Sequence, residues 1–139
     1  MSAEVAIRAA VIAALREDAA LMAVAQGVHD GEPGRAAPPY AHVGECLGSD
    51  WGGKDVEGRE LRLTIGLTVA EETPGRLAEM VTRVELALGA AGVRDGWRIV
   101  SAGLLRSRVA RSGGAGAGAG AGAGWRAVMD YRLRVVRDG

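Results

Sequence analysis

Two long stretches of alternating apolar and polar residues constrain the fold of this chain more than any other feature. In residues 61–69, leucine, isoleucine and valine alternate with polar residues and glycine, and residues 125–136 follow the same period of two. Such a period places successive side chains on opposite faces of a β-strand. Both stretches are therefore predicted to be half-buried strands.

Two other strands and two helices are predicted around this pair. Residues 40–47 and 97–111 contain strand formers. In the second stretch apolar residues and arginines are expected on opposite faces, and Gly103 is a candidate bulge. Residues 3–16 and 73–91 have apolar residues at helical spacing, with Ser2 and Thr73 as candidate N-caps. Asp18 is a candidate cap of a second, short turn after the first helix. Residues 27–39 contain several turn formers and two consecutive prolines, which predicts a loop.

The predicted order α-β-β-α-β-β indicates an α+β fold. We expect a mostly antiparallel four-stranded sheet with the two helices on one face. The length of 139 residues fits a single domain spanning 1–139. Residues 113–124, between the last two strands, are all glycine or alanine and have no side chain able to anchor a core, so this tract predicts a flexible hairpin tip.

Composition excludes several classes of protein. Lys plus Arg and Asp plus Glu are 17 each, and the zero net charge disfavours a generally basic nucleic-acid binder. The single cysteine excludes an internal disulfide framework and a multi-cysteine zinc site. No apolar run approaches the roughly 18 residues that a membrane span needs, so we expect no membrane association. The N-terminus resembles no export signal, which predicts synthesis in a bacterial-type cytoplasm.

The residue pattern predicts no catalytic or metal-binding set. His42 and Cys46 are four residues apart in a predicted strand, so they are expected on one face but about 13 Å apart, too far to share one metal ion. We therefore expect no metal and no cofactor. A small enzyme with an unrecognised site at His42, Glu45 and Cys46 is retained as the weakest of three hypotheses.

Candidate contact residues lie in one loop and on one strand face. Trp51 and Lys54 occupy a polar, glycine-rich connection, where the tryptophan can either anchor a protein contact or cap its own core. Arginines on the polar faces of the last two strands form a strip that fits a solvated or subunit-contacting sheet face. The alternative hypothesis is a small nucleic-acid-binding module that uses this strip to contact phosphates. The acidic residues Glu60 and Asp130 are expected near this strip, which consists of Arg106, Arg108, Arg126, Arg132 and Arg134.

A more specific signal lies in the stretch between residues 27 and 67. Its characteristic parts are Val28-His29-Asp30-Gly31-Glu32-Pro33, then Ala37-Pro38-Pro39-Tyr40, then Val43-Gly44-Glu45. The chain resembles, over about residues 3–136, the tail-terminator or tail-completion proteins of siphophage-like particles and gene transfer agents. The Gly-Ala tract departs from this family, in which the hairpin is short.

The resemblance implies a structural virion protein and no enzyme. Family members form a ring, commonly of six copies, on the head-proximal end of the tail tube, where they stop tube growth and join the tail to the head. The implied partners are other copies of the chain, the tail tube protein and a head–tail connector or neck protein. DNA passes through the channel without specific binding. The implied location is the tail–neck junction of the particle.

Overall fold

The computed structural model describes residues 2–112 and 124–137. These residues form three helices and six strands. In chain order the elements are α1 (Ala3–Glu17), α2 (Ala19–Val24), β1 (Gly27–Asp30), β2 (Tyr40–Asp50), β3 (Gly58–Val69), α3 (Gly75–Gly89), β4 (Val93–Arg94), β5 (Trp97–Ser112) and β6 (Gly124–Arg137).

The strands form one mixed sheet in the order β1-β2-β3-β6-β5-β4. β1 runs parallel to β2, and every other neighbouring pair is antiparallel. The sheet curls into a half-barrel. The predicted four-stranded, mostly antiparallel sheet with two helices is therefore wrong within the described residues, which add β1, β4 and α2 to it.

The added strands are short, and their pairing depends on residues far away in the sequence. β1 covers four residues of the segment predicted as a loop, and it pairs with 40–43 of β2. β4 has two residues, and they pair with Trp97 and Arg98. Segments this short carry no readable period of their own, so tertiary pairing decides their state.

The helix starts agree only partly with the predicted caps. The Ser2 hydroxyl accepts a hydrogen bond from the Val5 amide at 3.2 Å, as predicted for α1. Asp18, expected to cap a short turn, accepts one from the Leu21 amide at 2.9 Å and begins α2. Thr73 does not cap α3, because that helix begins after Pro74 without a side-chain cap.

The alternating apolar residues of β3 and β6 form the floor of the core. On β3 every second residue from Leu61 to Val69 is buried, and on β6 the same holds from Ala127 to Val135. Apolar residues of α1, α2 and α3 cover this floor. The two predicted half-buried strands are confirmed, with one face of each strand against the helices.

β5 is a strand, as predicted for 97–111, but most of its length is exposed. Trp97 is buried, but every residue from Val100 to Arg111 is exposed, although side chains alternate between the two faces. A bulge between Leu104 and Arg106 also breaks the predicted alternation, because it places Leu105 and Arg106 on the same face, opposite to that of Leu104. The prediction had placed the bulge at Gly103.

The predicted Gly-Ala hairpin tip, 113–124, lies outside the described residues except for Gly124. Ser112 and Gly124 pair at the open end of the β5–β6 ladder. Within 2–112 and 124–137, no helix combines the length and the apolarity required to cross a membrane.

Candidate assembly surface

The sheet face opposite the helices is polar and uncovered over most of its area. It carries the alternate residues of β3 and β6 that point away from the core, and we call it the helix-free face. Residues directly opposite in an antiparallel ladder share a face, so Arg106 of β5 and Leu47 of β2 belong to it through their partners. Glu60 and Asp130 also lie on this face.

Carboxylates pair with most of the predicted arginine strip. Asp130 accepts from Arg106 at 2.8 Å and from the Thr64 hydroxyl at 2.6 Å. Glu60 lies 3.2 Å from Arg134 and 3.8 Å from Arg132. These contacts join β3, β6 and β5 across the helix-free face.

The fourth paired arginine, Arg126, binds a loop instead of a strand. It donates to both carboxylate oxygens of Glu32, which lies in the segment between β1 and β2. Arg108 is exposed on β5. Because carboxylates neutralise Arg126 and the other paired arginines, the strip offers less uncompensated charge to a phosphate backbone than its sequence suggests.

The pairing also shifts the carboxyl groups. The Thr64 hydroxyl, and after it the Arg106 guanidinium, lower the pKa of Asp130. Arg126 similarly lowers the pKa of Glu32. Both carboxylates are therefore held in their charged form, as expected for structural ion pairs rather than for a general acid.

A cavity of about 380 Å³ lies in the concave centre of the helix-free face. Residues Arg62, Thr64 and Asp130 form its floor. Leu47 borders it from β2, and Leu105 borders it from β5. Both leucines are large exposed apolar side chains at opposite sides of one trough.

One end of the helix-free face is closed by the segment that follows β1. His42 of β2 is only 6% exposed there, and its Nε2 lies 3.5 Å from Glu32. The imidazole fits because β3 has a glycine, Gly66, where a Cβ atom would collide with the ring. Burial lowers the pKa of His42, and this effect exceeds the opposing attraction of Glu32.

The structure separates the residues of the enzyme hypothesis. A register shift between Val43 and Cys46 turns Cys46 toward the helix side, opposite Leu63, while His42 faces the other way. The assumption that these two residues share a face is therefore wrong. Burial raises the pKa of the Cys46 thiol to about 11, so it is no activated nucleophile at neutral pH. Within the described residues, no three His, Cys, Asp or Glu side chains cluster as a metal site.

Trp51 lies outside the core, so it does not cap the core of its own chain. It follows β2 in the β2–β3 hairpin and is 39% exposed. The Arg134 guanidinium lies 5.2 Å from the centre of its ring. Lys54 is exposed further along the same connection. The hairpin therefore presents an aromatic and a cationic side chain at one end of the sheet.

The outer edge of β5 is the surface that the sequence did not reveal. β4 pairs with Trp97 and Arg98 only, so in the described part of the chain 99–112 have no strand on that side. We call this stretch the β5 edge. Its large exposed apolar side chains are Val100, Leu104, Leu105 and Val109. The mixture of apolar, small and arginine residues in 100–111 was the available signal, because it lacks the regular alternation of 61–69.

A long strand exposed on both faces is unusual for an isolated protein. An unpaired edge is a template for pairing with another chain, and natural proteins keep such edges short or cover them. Contiguous exposed apolar residues likewise mark contact sites. The β5 edge and the adjoining helix-free face are therefore the best candidate assembly surface.

Comparisons with known proteins support an assembly role. A chain in the solved "Virion of native gene transfer agent (GTA) particle" is similar with a TM-score of 0.69 and 25% sequence identity, over 98% of this chain and 99% of that chain. No curated protein matches the sequence. The family model described as "Tail completion protein gp17" matches residues 9–135. These matches confirm a structural, virion-associated protein and not an enzyme, as the resemblance implied. The chain therefore belongs to the family of the tail completion protein gp17.

Proposed function

We propose that this protein is a tail terminator that forms a ring of six copies on the head-proximal end of the tail tube. The ring stops growth of the tube and joins the tail to the neck of the head. The observation that carries the proposal is the β5 edge, where 100–111 are exposed on both faces. A ring supplies a neighbour for such an edge on every copy, since it closes through head-to-tail contacts.

The proposed partners follow from the position of a terminator. The tail tube protein contacts one end of the ring, and a connector or neck protein contacts the other. DNA passes through the centre without specific binding. A net charge of zero and the pairing of Asp130 and Glu60 with arginines support this, because a strongly basic channel would retain the phosphate backbone.

Deletion of the reading frame in a producing strain tests the role. Electron microscopy of the resulting particles should reveal overlong or unjoined tails beside tailless heads. Complementation with the intact gene should restore joined particles. Normal joined particles from the deletion strain would disprove the terminator role.

We also propose that Trp51 and Lys54 contact a partner at one end of the ring. Trp51 is exposed and packs against Arg134 rather than in the core. In the deletion strain, Trp51→Ala should yield fewer joined particles, while the purified variant retains the unfolding midpoint of the intact protein. Trp51→Phe is the control, because it keeps an aromatic face for Arg134. Full complementation by Trp51→Ala would remove the residue from the contact surface.

A further inference from the structure

The sheet has a second free edge on β2, which β3 and β6 separate from β5. β1 pairs with β2 only as far as Val43, and the Arg8 guanidinium binds the Gly44 carbonyl oxygen. Beyond that point, residues 46–50 of β2 pair with β3 on one side, and 45–50 have no strand on the other side within the described residues. We call 45–50 the β2 edge. The molecule thus carries two different unpaired edges.

We infer that the β5 edge of one copy pairs with the β2 edge of the next copy, which continues the sheet around the ring. This inference rests on the proposed ring and names the interface that would close it. The occupant of the β5 edge is a second copy of this chain. Each copy pairs through its β5 edge with one neighbour and through its β2 edge with the other neighbour.

Strand direction supports this pairing. β2, β3, β6 and β5 are successive antiparallel neighbours, so β2 and β5 run in opposite directions. Rotation about a ring axis that lies roughly along the strands preserves these directions. The β5 edge would therefore meet the β2 edge of the next copy as an antiparallel pair, which is the more stable ladder.

The two edges also lie at the same position along the strand direction of the sheet. The register connects Ser49 to Glu60, Arg134 and finally Ser101. It likewise connects Leu47 to Gly103, close to Leu104 and Leu105. A ring with little shear thus places the β2 edge beside 99–106 of the β5 edge.

Charge and apolar surface are complementary between the edges. The β2 edge carries Glu45 and Asp50 and no basic residue, whereas the matched stretch 99–106 carries Arg106 and no acidic residue. Leu47 is 55% exposed on one edge, and Leu105 is 43% exposed on the other. Opposite charges and apolar pairs across a ladder are stabilising, while like charges directly opposite are destabilising.

The same charges disfavour the competing arrangement. Pairing of the β5 edge with itself would give a two-fold dimer and place arginines near arginines. It would also leave the β2 edge unpaired and would not form a ring of more than two copies. The head-to-tail contact uses both edges once and leaves neither exposed.

Engineered disulfides test the inference directly. The Ser49→Cys, Ser101→Cys double variant is made with Cys46→Ala, so that only the introduced thiols react. Two strands separate these positions within one chain, about 14 Å along the sheet, which exceeds the reach of a disulfide. Every disulfide therefore joins two copies. The controls are the two single-cysteine variants on the Cys46→Ala background.

Oxidation is performed on purified particles that contain the variant, and chains are separated without reductant. We expect the monomer band to be lost into a ladder of multimers that ends at the ring size. The single-cysteine controls should remain monomeric. Dimers from the Ser101→Cys control would instead identify the two-fold arrangement and overturn the inference.

Absence of the ladder from joined particles that contain the double variant would overturn the interface and leave the terminator role intact. Normal joined particles from the deletion strain would instead overturn the terminator role itself. The failure of the interface and the failure of the terminator role are therefore distinguishable. Amide hydrogen exchange of the unmodified protein is a second test, for the case in which the double variant is not incorporated into particles. Exchange in 45–50 and in 99–106 should be slower in the assembled protein than in the free chain, and unchanged exchange in either segment would overturn the inference.

Discussion

β6 and β5 are neighbouring antiparallel strands of similar length, yet they differ in burial. β6 alternates regularly, and its apolar residues from Ala127 to Val135 are buried against the helices. β5 pairs with β6 along its whole length, but every residue in 100–111 is exposed. Hydrogen bonding alone therefore does not bury a strand.

The difference arises from what lies over and beside each strand. β6 lies between β3 and β5 and beneath the helices, whereas β5 has, among the described residues, only the two-residue β4 at its other side. Leu104 pairs with the buried Tyr131 and points to the helix side, but it remains 46% exposed beside α3. β5 thus has strand structure without burial, as expected for a surface that another chain completes.

The largest difference between β6 and β5 is expected when a leucine on each strand is truncated to alanine and the free energy of unfolding is measured. Leu133→Ala on β6 removes a fully buried side chain and should lower the free energy of unfolding by about 2–5 kcal/mol. Leu104→Ala on β5 should change it by less than about 0.5 kcal/mol in the monomer. Denaturant unfolding of both variants measures this. Equal losses would mean that β5 is packed in the free protein.

Alanine substitutions of two strand glycines should give the second largest difference in stability. Gly66→Ala places a Cβ atom against the buried His42 imidazole and should cost about 1–3 kcal/mol through overpacking. The Cβ atom of Gly103→Ala on β5 meets no atom of the described residues within 4 Å, so this change should be close to neutral. Thermal unfolding compares the pair. A stable Gly66→Ala variant would show that the His42 end of the sheet opens easily.

The closed His42 end should also make stability depend on pH. Glu32, Arg126 and His29 are the charged and titratable groups that act on the imidazole, but burial dominates and lowers its pKa. The folded protein then holds this proton less tightly than the unfolded chain. Stability should fall as pH drops below the ordinary value of 6.5, by up to about 1.4 kcal/mol per pH unit. His42→Gln should flatten the dependence in chemical denaturation between pH 5 and 7 (about the range where histidine titrates), and an unchanged slope would contradict it.

The smallest expected effect concerns the link between β5 and the inner strands. Asp130 joins Arg106 of β5 to Thr64 of β3, and its pKa is lowered from an ordinary value of 3.8. A depressed carboxyl pKa contributes stability above that value, which is lost as pH falls through the folded pKa. Asp130→Asn should cost about 1 kcal/mol at neutral pH, and the difference should vanish in acid.

Arg108→Gln, two residues along β5 from Arg106, is the matched control for this link. It should change stability by less than about 0.5 kcal/mol. A loss as large as that of Asp130→Asn would indicate a general charge effect on β5 rather than a specific contact. Urea unfolding at neutral and acidic pH separates the two.

Local sequence was sufficient to predict the strands that have a regular alternation of apolar and polar residues and the helices that begin at a capping side chain. The alternation of 61–69 and 125–136 predicted β3 and β6, and Ser2 and Asp18 predicted the starts of α1 and α2. β1 and the true sheet order were missed, because a four-residue strand is defined by its partner and not by its own pattern.

The residues of the candidate surface were predicted better than their surroundings. Arg106, Arg126, Arg132 and Arg134 do lie on one sheet face, since they follow the polar phase of the alternation. Their carboxylate partners come from strands and a loop far away in the chain, so the pairing could be anticipated only in outline for Glu60 and Asp130. Glu32 was not anticipated as the partner of Arg126.

The sequence by itself determined which residues form the core floor, where α1 and α2 begin, and the tail-completion family, because these depend on local period, local capping and linear motifs. Only the tertiary structure decided that His42 and Cys46 lie on opposite faces, that the sheet has six strands within the described residues, and that β5 is exposed on both sides. These properties depend on a bulge, on strand pairing between distant segments and on the limited reach of the helices over the sheet. A strand's own period encodes its two faces but not what covers them.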